Sequence, residues 1–156
     1  VPLQKHVWEV MESEFTTIQT DATVGEAARL LAEKVRTSRH VQGLIVVDSE
    51  NRYKGIVTVK DILGHLKGLF DNSCDAGGPN ILNLFSDRCR MDAGKKVSEI
   101  MKKENVMIAP NSTLVDAMKK LMDDSVRVMP VVEGNRPVGV LYLHDLFLFM
   151  KELIED

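Results

Sequence analysis

The chain repeats itself, and no other feature of the sequence limits its fold so sharply. Val7-Trp8-Glu9-Val10-Met11 is echoed by Val97-Ser98-Glu99-Ile100-Met101, 90 positions on. At the same offset Ile18 matches Ile108, Asp21 matches Asn111, Thr23 matches Thr113, Ala27 matches Ala117 and Leu31 matches Leu121. The offset falls to 85 where Leu44-Ile45-Val46-Val47-Asp48 meets Met129-Pro130-Val131-Val132-Glu133. It falls to 84 where Gly55-Ile56-Val57-Thr58-Val59-Lys60-Asp61 meets Gly139-Val140-Leu141-Tyr142-Leu143-His144-Asp145. The first copy therefore carries five extra residues near Lys34 to His40 and one more in a hairpin, insertions that loops absorb cheaply. The matches keep one order and the offset changes only where loops belong, so two unrelated stretches explain them poorly.

Each copy reads as strand, helix, strand, strand, helix. Thr17-Ile18-Gln19 and Val106-Met107-Ile108 are the expected lead-in strands. Thr23 with Glu26, and Thr113 with Asp116, carry helix-start spacing. Behind them Val24, Ala27, Ala28, Leu31 and Val35 fall on one face, as do Leu114, Ala117, Met118, Leu121 and Met122. Leu44 to Val47 and Gly55 to Val59, around Asp48-Ser49-Glu50-Asn51, read as a hairpin. Val128 to Val132 and Val138 to Leu141, around Glu133-Gly134-Asn135-Arg136, read as its partner. Pro130 has no backbone donor and belongs at an edge or bulge. Asp61, Ile62, Leu63, Leu66 and Leu69 suggest one closing helix; Leu146, Phe147, Phe149, Met150 and Leu153 suggest the other. A single unit has too little sheet to close its own core, so the copies should pack face to face about an approximate twofold axis. The expected divisions are residues 1–71 for the first repeat with its lead-in, 72–96 for a connector and 97–156 for the second repeat. Within the connector Ala76-Gly77-Gly78-Pro79 is a strong breaker, and Ile81, Leu82, Leu84 and Phe85 suggest a short helix covering the core.

Composition narrows the function classes. The 156 residues are 44% hydrophobic, enough for a core without disulfide or metal. Twenty basic residues face 23 acidic ones, for a net charge of -3, which argues against a nucleic-acid partner. Cys74 and Cys89 do not read as a secreted disulfide framework. The opening residues have no apolar core of a signal peptide, and the longest apolar tract, Val138 to Met150, is broken by His144 and Asp145; the expectation is a cytoplasmic protein with no direct membrane insertion. There is no Walker loop or dinucleotide fingerprint, and the histidines at 6, 40, 65 and 144 form no metal motif. No serine nucleophile sits at recognisable motif positions. Asp48-Ser49-Glu50-Asn51 lacks the glycine placement of a calcium loop, and Asn111-Ser112-Thr113 reads as a helix start. An enzyme is therefore not expected.

The doubled unit resembles a CBS domain pair, or Bateman module, an α+β fold of two β-α-β-β-α units with pseudo-twofold symmetry. The residues carrying the resemblance are Met11 and Met101, the helix starts at Thr23 and Thr113, Pro130-Val131-Val132 and, most specifically, Gly55-Ile56-Val57-Thr58-Val59-Lys60-Asp61. The likeness spans nearly the whole chain outside part of the connector. It implies a regulatory module with no catalytic cofactor. It further implies an adenosine-containing ligand (AMP, ADP, ATP or S-adenosylmethionine) bound between the copies, assembly as a homodimer, and association with a regulated enzyme or transporter.

By that resemblance Thr58 and Asp61 are the core of a nucleotide site. Thr58 stands where a strand hands over to a helix, its hydroxyl suits a phosphate oxygen, and free N–H groups there favour an anion. Asp61 suits the two ribose hydroxyls. Local chemistry offers another account, since Thr58 and Asp61 also stand as an N-cap and its N3 partner; the two roles can coexist. Ile56 and Val57 on the same strand, with Val106, Met107 and Ile108 from the second copy, are expected to grip the adenine. Arg127 is a candidate phosphate ligand, or a partner of Asp123 or Asp124, and Val128 borders it. In the second cleft Asp145 keeps the ribose position but Tyr142 replaces the usual Thr or Ser, with His144 beside it and Val140 on its strand. Thr17, Ile18 and Gln19 with Gln42 and Gly43 would form the opposite wall. This cleft is expected to be weaker, altered or empty, and the insertion with Arg36, Arg39 and His40 either reaches over it or stays a solvated loop. The remaining alternative is a structural dimerisation module whose clefts no longer bind.

Overall fold

A computed structural model describes residues 5–65, 81–103, 106–124 and 126–155. In the first unit β1 (Thr17–Gln19), α1 (Val24–Thr37), β2 (Gly43–Val47), β3 (Tyr53–Thr58) and α2 (Val59–Gly64) follow in order. The connector contributes α3 (Ile81–Ala93), longer than the short helix expected there. The second unit holds β4 (Lys102–Lys103), α4 (Leu114–Asp123), β5 (Val128–Glu133), β6 (Arg136–Tyr142) and α5 (Leu143–Glu155). A 3-10 turn precedes each unit, at Val7–Glu9 and Val97–Glu99.

The helix starts behave as their sequences require. Thr23 Oγ1 accepts from the Glu26 N–H at 3.1 Å, and Thr113 Oγ1 from the Asp116 N–H at 3.1 Å. Val24, Ala27 and Leu31 bury one stripe of α1, and Leu114, Ala117 and Leu121 the matching stripe of α4. Met122 is exposed instead of joining that stripe, because 100° per residue carries it well off the line set by Leu114, Ala117 and Leu121. Leu66 and Leu69, and the side chains of Ile81, Leu82 and Phe85, lie outside the described residues; Leu84 faces solvent.

In the first sheet the strand order is β1-β2-β3-β4, with β1 parallel to β2 and the other pairs antiparallel. Strand β4 belongs by sequence to the second copy, yet it pairs with β3 through Ile56↔Lys102 and Gly55↔Lys103. The second sheet mirrors this in reduced form. β5 and β6 form its hairpin, Ile108 bridges Val131 in parallel, and Glu12 from the first copy's lead-in bridges Val140. Each copy's lead-in thus crosses to the other. Val7 N donates to Ser112 O at 2.9 Å and Val97 N to Ala22 O at 2.8 Å. Val7 is buried in the second unit's core, and Val97 in the first's.

The expected lead-in strand Val106-Met107-Ile108 shrinks to the single bridge at Ile108, and Pro130 explains the loss. In the first copy the Ile45 N–H donates to Thr16 O at 3.2 Å. The repeat places Pro130 at the position of Ile45, and proline has no N–H to give. Ile108 keeps the two bonds that do not need it, donating to Pro130 O and accepting from the Val132 N–H, both at 2.9 Å. Pro130 also sits beside a break in register between Val131 and Val132, which matches the one between Val46 and Val47.

Both hairpins are buried on two faces, so alternate residues enter different cores. Leu44, Val46 and Val57 pack beneath α1, whereas Ile45, Val47, Tyr53 and Ile56 face the second sheet. There they meet Val128, Val132, Val140 and Tyr142. This sheet-on-sheet layer is the cluster that the two copies share.

Two glycines make the crossing possible. A Cβ on Gly55 would overlap the Lys102 carbonyl oxygen, and one on Gly139 would come within 2.5 Å of Met11 Sδ and 3.1 Å of Glu12 O. Glycine is therefore dictated at Gly55 by the backbone of the other copy's lead-in, and at Gly139 it leaves room for the Met11 side chain.

Candidate functional site

A cavity of about 1000 Å³ opens where β3 hands over to α2. From the first copy Gln42, Ile56, Thr58, Val59, Lys60, Asp61, Leu63, Gly64 and His65 line it; from the second, Ile100, Lys102, Asp124, Val126, Arg127 and Val128 do. Of the residues singled out from the sequence, Ile56, Thr58, Asp61, Arg127 and Val128 come together here. Val57 does not line it, because strand alternation turns its side chain beneath α1. Val106, Met107 and Ile108 do not line it either. Ile108 is buried in the second unit's own core, and the Val106 carbonyl accepts from the Tyr53 hydroxyl at 2.6 Å. Gln42, expected on the far wall of the second cleft, lies in this one instead.

Thr58 and Asp61 form a closed capping box. Asp61 Oδ2 accepts from both the N–H and the hydroxyl of Thr58 at 2.8 Å, while Thr58 Oγ1 accepts from the Asp61 N–H at 3.2 Å. The Val59 N–H donates to Gln42 O at 3.0 Å. The free N–H groups expected at this helix start for an anion are thus taken at positions 58, 59 and 61. Positive charge in the cavity comes from side chains instead: Lys60, Lys102 and Arg127, with His65 near them. Lys102 Nζ donates to Asp61 Oδ1 in a part-buried ion pair. Sequence reasoning missed Lys102. Its signal was present, since it follows Met101 as Glu12 follows Met11, but which copy it would face was not.

The second cleft contains a different set of groups at the equivalent places. The Tyr142 N–H donates to Asp145 Oδ2 at 3.0 Å, as Thr58 does to Asp61. The Tyr142 ring is buried in the sheet-on-sheet layer, at the position where the first copy has the smaller Thr58. His40, from the five-residue insertion, meets Tyr142 edge-on at 5.1 Å and stacks on His144 at 4.5 Å. Its Nε2 lies 3.1 Å from Glu12 Oε2. The insertion therefore reaches over the cleft. Burial pushes the Asp145 carboxyl up to about 6; the Tyr142 N–H opposes this, and the hydrogen bond and negative charge of Glu12 add to it, against a smaller pull from His40. Burial also raises the Tyr142 phenol, helped by Glu12 and Asp145. Val140 is buried on the same layer. Thr17 and Gln19 are exposed and Ile18 lies under α1, so β1 is not brought to this cluster. Gly43 is packed against Ile56 and Thr58, on the side of the first cleft.

Among the described residues no group of three or more His, Cys, Asp and Glu is arranged to hold a metal ion. Cys89 is a free thiol, and Cys74 lies outside the described residues. No described helix is long and apolar enough to cross a membrane.

Two crossed β-α-β-β-α units sharing a sheet-on-sheet layer, with a cavity at the strand-to-helix corner beside Asp61, define a tandem-repeat architecture. The chain belongs to the CBS domain family, whose model matches residues 7–68 and 97–152. It is 28% identical over 140 residues to the CBS domain-containing protein YhcV of Bacillus subtilis, covering 90% of this chain and 81% of that protein. Its fold resembles the CBS-domain protein ATU1752 of Agrobacterium tumefaciens, with TM-score 0.71, 20% identity and 95% of both chains covered. It also resembles CBSX2, solved in complex with AMP, with TM-score 0.68, 22% identity and 95% and 97% covered. Relatives named as enzymes are longer; the chain spans 22% of the inosine-5'-monophosphate dehydrogenase of Methanocaldococcus jannaschii.

Proposed function

We propose that this chain is a ligand-sensing regulatory module that takes an adenine nucleotide in the cavity beside Asp61. The observation that carries this reading is the joint lining of one cavity by the Asp61 carboxylate in the first turn of α2, a second carboxylate at Asp124, apolar side chains and several cations. Asp61 suits the two hydroxyls of a ribose. Ile56, Ile100, Val126 and Val128 offer an apolar grip for a flat base, and Lys60, Lys102 and Arg127 suit phosphate. The complex of the similar protein CBSX2 with AMP supports the same choice. Three cations against the carboxylates of Asp61 and Asp124 leave the cavity net positive, which favours AMP, ADP or ATP over S-adenosylmethionine, whose sulfonium is itself positive. The second cleft, filled by Tyr142 and His40, is not assigned a nucleotide.

Calorimetry on a nucleotide-free preparation, with AMP, ADP, ATP and S-adenosylmethionine, with and without magnesium, tests the proposal. Binding of at least one adenine nucleotide, weakened about tenfold or more by Asp61→Ala, is expected. Failure of the whole panel to bind would overturn it.

A second reading concerns assembly. Phe147, Leu148 and Ile154 on α5 are exposed, at 62%, 47% and 74%. Such a row favours burial against a second copy, with or without ligand. Light scattering of the wild type and of Phe147→Glu decides it: a dimer that the substitution dissociates is the expected result.

A further inference from the structure

The two lead-ins place opposite charges at equivalent positions. Lys102 pairs by backbone with Ile56, and its carbonyl lies against Gly55. Glu12 pairs with Val140 through N–H to O bonds of 2.8 and 2.9 Å, and its carbonyl lies against Gly139. Each side chain is therefore delivered by a fixed backbone to the corner of the other copy's closing helix. Lys102 meets Asp61 there, and Glu12 meets Asp145.

We propose, resting on the nucleotide reading above, that Lys102 is an ion-pair latch selecting phosphorylated over unphosphorylated adenosine, and that Glu12 denies the second cleft to anions.

Asp61 has two carboxylate oxygens. Oδ2 is committed to the N–H and hydroxyl of Thr58. Oδ1 is held by Lys102. A ribose diol donates two hydroxyls, and Oδ1 has one acceptor site left beside the ammonium, so taking both hydroxyls displaces Lys102. An ammonium released inside a partly buried cavity needs a new counter-charge. A nucleotide supplies one in its phosphate, and one ion pair is exchanged for another. Adenosine supplies none and bears the whole cost of breaking the pair. Discrimination thus arises at the ribose end of the ligand as well as through direct phosphate attraction.

In the second cleft the same position is anionic. Glu12 stands beside Asp145, and His40 Nε2 sits 3.1 Å from its carboxylate. An incoming phosphate would meet two carboxyls and the buried Tyr142 ring, with the stacked His40 and His144 as the counter-groups. One anionic ligand per chain follows.

The test is calorimetry of the full chain with AMP and with adenosine, on wild type, Lys102→Met and Lys102→Arg, each checked for folding by its melting curve. Lys102→Met is expected to weaken AMP about tenfold while leaving adenosine unchanged or tighter, and Lys102→Arg to restore the preference for AMP. Wild-type binding should saturate at one AMP per chain. If AMP binds wild type but Lys102→Met weakens both ligands equally, or neither, the latch is overturned while the nucleotide site stands. Two AMP per chain overturns the role given to Glu12. If wild type binds no adenine nucleotide, the site itself fails and the latch fails with it. Should Lys102→Met not fold, Lys102→Gln serves the same comparison.

Discussion

The Tyr53 hydroxyl donates a 2.6 Å hydrogen bond to the carbonyl of Val106, in the other copy of the repeat. The bond answers a deficit created by a third residue. The first copy's equivalent carbonyl, on Thr16, receives the Ile45 N–H, but Pro130 stands where the second copy would offer that donor. A phenol from across the sheet-on-sheet layer supplies it instead.

Tyr53→Phe removes that donor and keeps the ring. The part-buried carbonyl then loses its side-chain partner, at about 1–3 kcal/mol. Urea unfolding should show a lowered midpoint with little change in slope. An unchanged midpoint would mean that water replaces the phenol at no cost.

Gly55→Ala sets a methyl against the Lys102 carbonyl. Both partners are paired backbone, so neither yields easily, and the loss should be about 1–3 kcal/mol. Gly64→Ala is the control, since its Cβ would meet nothing within 4 Å. Thermal melts of the two variants should differ clearly, with Gly64→Ala at or above wild type.

Asp145 gives the second cleft a pH signature. Its folded pKa, about 6, lies above the ordinary carboxylate value of 3.8. The folded state therefore holds the proton more tightly than the unfolded chain. The associated stability is full below about pH 4 and is lost as the pH rises through about 6. Asp145→Asn imitates the protonated carboxyl and should remove this slope. At pH 7.5 the variant should be the more stable protein, by on the order of 1 kcal/mol after solvent screening. Melting temperatures from pH 4 to 8 check this, and equal slopes in the two proteins would refute it.

Asp92 runs the other way. Burial pushes its carboxyl up, but Lys95 at 3.1 Å and Arg88 at 3.2 Å outweigh that and hold it below the usual range. Its contribution is present above the unfolded carboxylate pKa and is lost as the pH falls through the lower folded value. Asp92→Asn should cost on the order of 1 kcal/mol at pH 7, and the gap to wild type should close in acid. A gap independent of pH would assign the loss to packing of α3.

Much of this was legible in the residues. The offsets of 90, 85 and 84 located both units and the insertion, because loop length changes without disturbing the pattern of either core. Thr23, Thr113 and Thr58 announced their helix starts, since capping is settled within four residues. Thr58, Asp61, Ile56, Arg127 and Val128 line one cavity. Val106 to Ile108 do not: Pro130 reduces their strand to the bridge at Ile108, whose side chain enters the second unit's core. The roles of Lys102 and Glu12 escaped notice because their neighbours lie 41 and 133 positions away in the chain.

By itself the sequence determined the two hairpins, the capped helices before them and that the unit occurs twice, for these depend on side chains within a turn or two of one another. Only the tertiary structure decided that the lead-ins cross between copies, that Lys102 meets Asp61 while Glu12 meets Asp145, and that His40 closes over Tyr142. A charge acquires its meaning from what the packed backbone sets beside it, and that proximity is a property of the folded chain.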